Sequence, residues 1–410
     1  MKNMRKTLCA LSLVLAMLLG LLSGCGAAPA PEKAEAPEKT ETTAAAKLSG
    51  FTALDSELIS YLEESGYREK SYLVSPLSLK AALALAAAGA EGETRAQLLQ
   101  VLGFADEEAL LTWYDGVKAL SKTTRYEEEG PVEAALFVLA NSIWRNADKE
   151  GSFRPEYVQK VGERFGAAAE ELPGAELAGA VNEWVNEQTH GLIPQIVEDL
   201  SNSTAALVNT LYLLSAWADS FDPEATAPGT FTTVTGEQVE RELMHQTTHC
   251  PYYDDGETQL VVLPLEGGLK MAFVLGSTDG LADKLGRAES ARVEVTLPRF
   301  EVETALDNNE LVELLKQLGV SLAFTDEADF SGMSESCWAI GEIVQKTKLR
   351  LNEDGIEAAA ATAIIMVESA AVPGTPEPVK VFTADRPFSF YIYGGEGETA
   401  ELLFCGQYVG

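Results

Sequence analysis

The stretch NEDGIEAAAATAIIMVESAAVPGTPEP, Asn352 to Pro378, decides how the rest of the chain is read. Taken alone, IEAAAATAIIMV favours a buried helix, because alanine is the best helix former. Its neighbours argue otherwise. EIVQKTKLRLN (Glu342 to Asn352) alternates as a strand and runs straight into it, and VPGTPEP, with three prolines, leads out of it. The segment therefore reads as an exposed loop leaving one strand and returning to another, and a loop of this length in a large domain is usually functional.

Outward from that loop, 410 residues with 46% hydrophobic and 8% aromatic content can bury a large core. Residues 1–24 stand apart. Lys2, Arg5 and Lys6 precede the apolar run LCALSLVLAMLLGLL, which is short for a membrane span, and LSGC follows at Leu22 to Cys25. This order of basic, apolar, small and cysteine elements resembles a bacterial lipobox, which implies cleavage before Cys25 and a diacylglyceryl group on its sulfur; the alternative is an ordinary signal peptide with a chance cysteine. Residues 25–47, from Cys25 through GAAPAPEKAEAPEKTETTAAAK, lack any large apolar side chain and read as a disordered tether. The folded domain is expected over 48–410, and the chain is expected outside the cytoplasm on a bacterial membrane.

The formal charge of −33 becomes −36 once the three cationic residues of the leader are removed. Nucleic acid is excluded as a partner by that charge. Beyond Cys9 and Cys25, Cys250, Cys337 and Cys405 are too few and too scattered for a disulfide framework. His245 and His249 lie at i and i+4 in HQTTH, but Gln246 stands where a zinc protease needs glutamate, so they read as surface histidines rather than metal ligands with Cys250. No nucleophile elbow, Walker loop, C-x-x-C pair or dinucleotide fingerprint occurs at a strand-to-helix junction, which leaves no catalytic residue, cofactor or metal to name.

Helical periodicity marks FTALDSELISYLEESG, the alanine-rich run after Ser75-Pro76, AVNEWVNEQTHGLI (Ala180 to Ile193) and NELVELLKQLGVSLAF. Pro76 suits a first helical turn, where its missing N–H goes unmissed. Strands are predicted at AALFVLANSIWR (Ala134 to Arg145), AALVNTLYLLSAW (Ala205 to Trp217), both sides of the Gly-Gly turn in QLVVLPLEGGLKMAFVLG, along ARVEVTLPRFEVE, and at AELLFCGQYVG. Helices dominate the first half and strands the second without regular alternation, which predicts an α+β domain.

SYLVSPLSLKAALALAAAGAEGETRAQLLQ, LANSIW, VNEWVNEQTHGLIPQIV, LVNTLYLLSAWADSFDP, LPRFEVE, LGVSLAFTDEADFSGM, LNEDGIEAAAATA, ADRPFSFYI and LLFCGQ occur in the order found in serpins, and from Phe51 to Gly410 the chain resembles that family. The resemblance implies about nine helices and three β-sheets with a large central sheet, an exposed reactive loop, and a monomeric inhibitor of proteases rather than an enzyme. In that mechanism the protease cuts the loop and is acylated, and the freed loop inserts into the central sheet as a new strand.

Glu353, Gly355, Ile356, Glu357, Ala358, Ala359, Ala360, Ala361 and Thr362 match the family's hinge. Gly355 is free of Cβ constraints, and the alanines are slim enough to pass between parting strands. At ~3.3 Å per residue, Gly355 to Ser369 would span roughly 45–50 Å once inserted. If Glu357 faces solvent, Ile356, Ala358, Ala360, Thr362 and Ile364 face the core. Ile356 stands where inhibitory members usually carry threonine or serine, and overpacking there would cost about 1–3 kcal/mol. Ser75, Ser78 and Asn209 match positions that lock the central sheet, with Gln345 in place of the usual histidine, and Trp217 matches the sheet's upper end. Gln345 still donates and accepts hydrogen bonds.

Counted from Glu353, the family's register puts the scissile bond at Ser369-Ala370. A small residue there suits elastase-like or subtilisin-like proteases; if Glu368 is read instead, a glutamate-specific protease is the alternative. Two other readings stand beside inhibition: a non-inhibitory serpin acting as a carrier, and a solute-binding lipoprotein.

Overall fold

The computed structural model describes residues 52–120, 122–127, 130–306, 308–336, 339–356, 378–395 and 400–410. In chain order the elements are α1 (Ala53–Leu62), β1 (Tyr72–Val74), α2 (Pro76–Gly89), α3 (Gly92–Leu102), α4 (Glu107–Leu120), β2 (Lys122–Glu127), β3 (Gly130–Asn146), α5 (Pro155–Lys160), β4 (Ala168–Leu172), α6 (Gly174–Gln188), β5 (Ala205–Ala216), β6 (Ala227–Thr232), β7 (Gln238–Asp254), β8 (Gln259–Pro264), β9 (Lys270–Leu275), α7 (Leu281–Gly286), β10 (Glu289–Pro298), β11 (Phe300–Leu306), α8 (Asn308–Gln317), β12 (Glu342–Leu351), β13 (Gly355–Ile356), β14 (Lys380–Thr383), β15 (Phe388–Gly394) and β16 (Glu401–Tyr408). Helices fall mainly before β5 and strands after it, the α+β arrangement that the periodicity predicts.

Seven strands form one sheet in the order β11-β12-β13-β5-β3-β2, with β4 also on β3; nine form the other, β1-β16-β15-β9-β8-β7-β10-β14 with β6 on β7. Three sheets are expected from the family and hydrogen bonding among the described residues joins them into two. The reason is β7: it pairs β6 over its first residues, β10 along its middle and β8 at its end, so one ladder runs through.

Between the sheets lies α2. Ser75 caps it by accepting the Ser78 amide, Pro76 occupies its first turn, and every residue from Pro76 to Gly89 is buried. Alanine on all sides of this helix lets packed elements approach closely: a Cβ on Gly89 would sit 2.7 Å from Met333 and from Tyr157. On the far face of the seven-stranded sheet, Leu177, Val181 and Val185 of α6 and Ile193, Val197 and Leu200 beyond it pack over Ala206 and Val208 of β5.

Two sequence expectations shift. α6 begins at Gly174, six residues before Ala180, because Leu177 continues the four-residue spacing of Val181 and Val185. ARVEVTLPRFEVE is not one strand: β10 and β11 belong to different sheets and part at Arg299.

Candidate functional site: a seam in the seven-stranded sheet

β12 and β5 run parallel, yet they pair directly only where Glu342–Val344 meets Ala206–Val208. Above that contact the strands separate. At the opposite end of β12 the chain reverses over Asn352 to Gly355. The Asn352 amide donates to the Gly355 carbonyl (3.0 Å), the Gly355 amide to the Asn352 carbonyl (3.3 Å), and Asn352 Oδ1 accepts from the amides of Asp354 (2.9 Å) and Gly355 (3.1 Å). This turn delivers β13 into the seam, antiparallel to both flanks, with Ile356 opposite Leu351 on one side and Ser215 on the other.

Gly355 has φ 140°, a backbone region that is essentially glycine's own, and a Cβ there would lie 2.3 Å from the Ser215 carbonyl oxygen. Ile356 is 2% exposed and joins the apolar cluster that holds Leu351, Trp217, Phe300 and Phe388. The side chain thus occupies a core position in the uncleaved chain.

Glu353 fixes the turn from the side. Its carboxylate is nearly buried and takes Arg299 Nε on both oxygens (2.6 and 2.7 Å), Arg299 Nη2 (2.6 Å) and the Thr226 hydroxyl. Burial pushes its pKa up, but the Arg299 and Thr226 bonds outweigh that and hold the carboxyl below its usual range. Arg299 in turn is held above its usual value, first by its hydrogen bonds to Glu353. Main-chain bonds complete the seat: Phe221 N donates to the Glu353 carbonyl (3.0 Å), Trp217 N to that of Asp354 (2.9 Å) and Trp217 Nε1 to that of Asn352 (3.0 Å). Trp217 is itself buried against Phe221 and Phe273.

A second cluster begins at the first residue of each strand beyond the direct contact. Gln345 on β12 grips the first turn of α2: its Oε1 accepts the Ser75 amide (3.1 Å) and its Nε2 donates to the Ser75 carbonyl (2.9 Å). Ser75 Oγ donates to the Leu403 carbonyl of β16 (2.7 Å) and accepts the Ser78 amide (3.1 Å). The Ser78 hydroxyl donates to Asn209 on β5, whose amide donates to Asn141 on β3. Asn141 Nδ2 donates to the Tyr114 hydroxyl of α4 (2.6 Å), which donates to the Phe165 carbonyl (3.1 Å). Burial pushes the Tyr114 phenol far above its usual pKa, so it stays neutral in this chain of bonds.

The structure thus gathers Ser75, Ser78, Asn209 and Gln345 around the start of α2, and separately gathers Glu353, Gly355, Ile356 and Trp217 at the turn. Glu357, Ala358, Ala359, Ala360, Ala361, Thr362, Glu368, Ser369, Ala370 and Cys25 lie outside the described residues. Sequence reading missed Asn141, Tyr114, Arg299 and Thr226. An asparagine inside an apolar strand was a usable signal for Asn141, which is the direct cross-strand partner of Asn209. No local signal marks Tyr114. His245 donates or accepts at Thr296 through Nδ1 (2.9 Å), and the buried Cys250 thiol is pushed up to about 11; among the described residues no group of three His, Cys, Asp or Glu is placed to hold a metal.

The family described as Serpin (serine protease inhibitor) matches residues 52–410. A serpin-like protein of Thermococcus kodakarensis is 32% identical over 377 residues, covering 87% of this chain and 84% of its own. Serine protease inhibitor 42Dd of Drosophila melanogaster is 32% identical over 358 residues, covering 82% and 91%. Among solved structures, Serpin48 of Tenebrio molitor superposes with a TM-score of 0.74 at 28% identity, covering 90% of this chain and 99% of its own. A sheet that takes the first residues of its own loop into an open seam, and relatives matched over nearly their full length, lead to one conclusion: the chain belongs to the serpin family.

Proposed function

We propose that this chain is a suicide inhibitor of extracellular proteases, not itself an enzyme, that acts by cleavage of the loop after Ile356 and its insertion between β12 and β5. One observation carries the reading: β13 already occupies the top of the seam, while only three residue pairs close it lower down. A strand continuing from Ile356 gains ladder pairing on both sides, whereas parting β12 from β5 breaks few direct bonds.

The target is an elastase-like or subtilisin-like protease cutting at Ser369-Ala370, or a glutamate-specific one reading Glu368. The leader and tether support export, with the lipid on Cys25 tying a monomeric inhibitor to the outer side of a bacterial membrane. The test is to incubate the soluble domain with such proteases and look for a complex that survives denaturant, with the cut site read by mass spectrometry. Cleaved chain without complex at every ratio refutes inhibition.

Burial of Ile356 favours a second reading, a non-inhibitory carrier whose hinge is anchored rather than poised. Cleavage that leaves thermal stability unchanged would support it, and a large rise in melting temperature would reject it.

A further inference from the structure

Lys80 lies on α2, five residues after Ser75, and is 1% exposed. Its ammonium stands 3.1 Å from Glu401 Oε2 on β16 and 3.5 Å from Asp55 Oδ1 on α1, with Asp55 itself fully buried. Glu401 also accepts Trp113 Nε1 of α4 (2.7 Å). Among the described residues Asp55 Oδ1 has no hydrogen bond, and the Lys80 ammonium is the cation paired with it. Burial, opposed by Lys80, still leaves the Asp55 carboxyl above its usual pKa. Such a group of charges is weak as a source of stability, because desolvation consumes most of the attraction; its retention asks for another reason.

Geometry supplies one. Five residue steps of helix rise about 7.5 Å, and the two strand steps from Leu403 to Glu401 span about 6.8 Å. Ser75 Oγ to Leu403 O and Lys80 Nζ to Glu401 are therefore two matched rungs between α2 and β16. Packing on all sides and the bonds from Tyr157 to the Leu85 carbonyl (3.0 Å) and from Lys160 to the Ala88 carbonyl (2.9 Å) hold the far part of the helix, so the rungs to β16 bear on its first turn. Together they fix the rotation that aims Ser78 at Asn209 and the Ser75 main chain at Gln345.

We infer that Lys80 is a positioning residue for the sheet lock: through Glu401 and Asp55 it holds the first turn of α2 in the register that ties β12 and β5 closed. This rests on the inhibitory reading, since it matters only if the sheet opens.

The test uses the whole chain carrying Asp55→Asn, Lys80→Met and Glu401→Gln together, which leaves no unpaired buried charge. Two quantities are measured: the rate at which the uncleaved chain converts on warming to a urea-resistant, loop-inserted form, and the unfolding midpoint of the loop-cleaved form. The expected result is conversion at least tenfold faster with the cleaved form's midpoint unchanged. Conversion within twofold of the parent chain, or acceleration that merely follows an equal loss in the cleaved form, overturns the inference. Should the triple variant not fold, Glu401→Gln alone keeps an acceptor for Trp113 and must still speed conversion severalfold. If the parent chain yields no urea-resistant form after cleavage, the inhibitory reading fails and takes this inference with it.

Discussion

Replacing Gly355 by alanine pits two groups of energies against each other. Against β13 staying in the seam stand a Cβ at 2.3 Å from the Ser215 carbonyl, 2.7 Å from the Ala216 Cα and 2.9 Å from the Trp217 amide, all main chain of β5 or its continuation, and a φ of 140°. None of those atoms is a flexible side-chain end, so overpacking costs about 1–3 kcal/mol and the backbone strain a further ~1–3 kcal/mol. In favour of staying are burial of Ile356, about 1.5–3 kcal/mol, and the ladder bonds of two residues at ~1 kcal/mol each. The sums are close enough that alanine moves β13 from fully seated to largely withdrawn, a swing of roughly 2–6 kcal/mol. Amide hydrogen exchange at Ser215 and Ile356 reads this directly: protection should fall by tenfold or more at these sites and stay unchanged at Val208 and Val344. If protection at Ser215 and Ile356 survives Gly355→Ala, the close approach has been relieved by a shift of β5, and the argument that glycine is required for entry fails.

Ile356→Thr should loosen the hinge by about 2–4 kcal/mol, from lost apolar burial and a hydroxyl placed in an apolar cluster, and so raise the rate of complex formation with a target protease; an unchanged rate with unchanged exchange at Ser215 would show that Ile356 does not anchor the loop. Glu353 has a depressed pKa, so its pair with Arg299 stabilises the turn at and above the unfolded carboxyl value near 4.3 and is lost as pH falls through the lower folded value. The urea midpoint of Glu353→Gln should accordingly lie below the parent's at pH 6, and the difference should shrink as pH falls below the unfolded carboxyl value; a constant difference throughout would mean the pair's charge is irrelevant.

How much of this was legible beforehand follows the range of each interaction. The Ser75-Pro76 start of α2 and a positive-φ glycine at Gly355 are local choices, visible in SP and DGI. Gln345 was legible as an amide able to replace a histidine, but not that it would hold both main-chain groups of one residue on another element. Arg299 and Glu353 are 54 residues apart, and Asn209 and Asn141 are 68 apart, so neither pairing has a periodicity to announce it. The split at Arg299 had one local signal, Pro298 at the end of β10, which the alternation continuing on both sides masked.

The register of β13 also says where the loop must arrive. Ile356 pairs with Leu351 and with Ser215. Continued antiparallel insertion pairs each later residue with one earlier residue on both flanks, so Thr362 falls opposite Gln345 and Asn209 together. Side-chain alternation places Thr362 on the same face as Ile356, the face toward α2, where Gln345 and Asn209 are also buried. Under the proposed insertion the four alanines would pass above the lock, and the first hydroxyl of the segment would land between its two strands, at cross-strand distances of about 5 Å. Insertion would part bonds of the lock, and the Thr362 hydroxyl would offer replacements. Thr362→Val keeps the shape and removes the hydroxyl, which should cost the cleaved, inserted form about 1–3 kcal/mol while leaving the uncleaved form within about 0.5 kcal/mol of the parent. Urea titration of both forms checks this. An equal effect on the two forms, or none on the cleaved one, would mean that the strand enters in another register and that the pairs seen at Ile356 do not propagate down the seam.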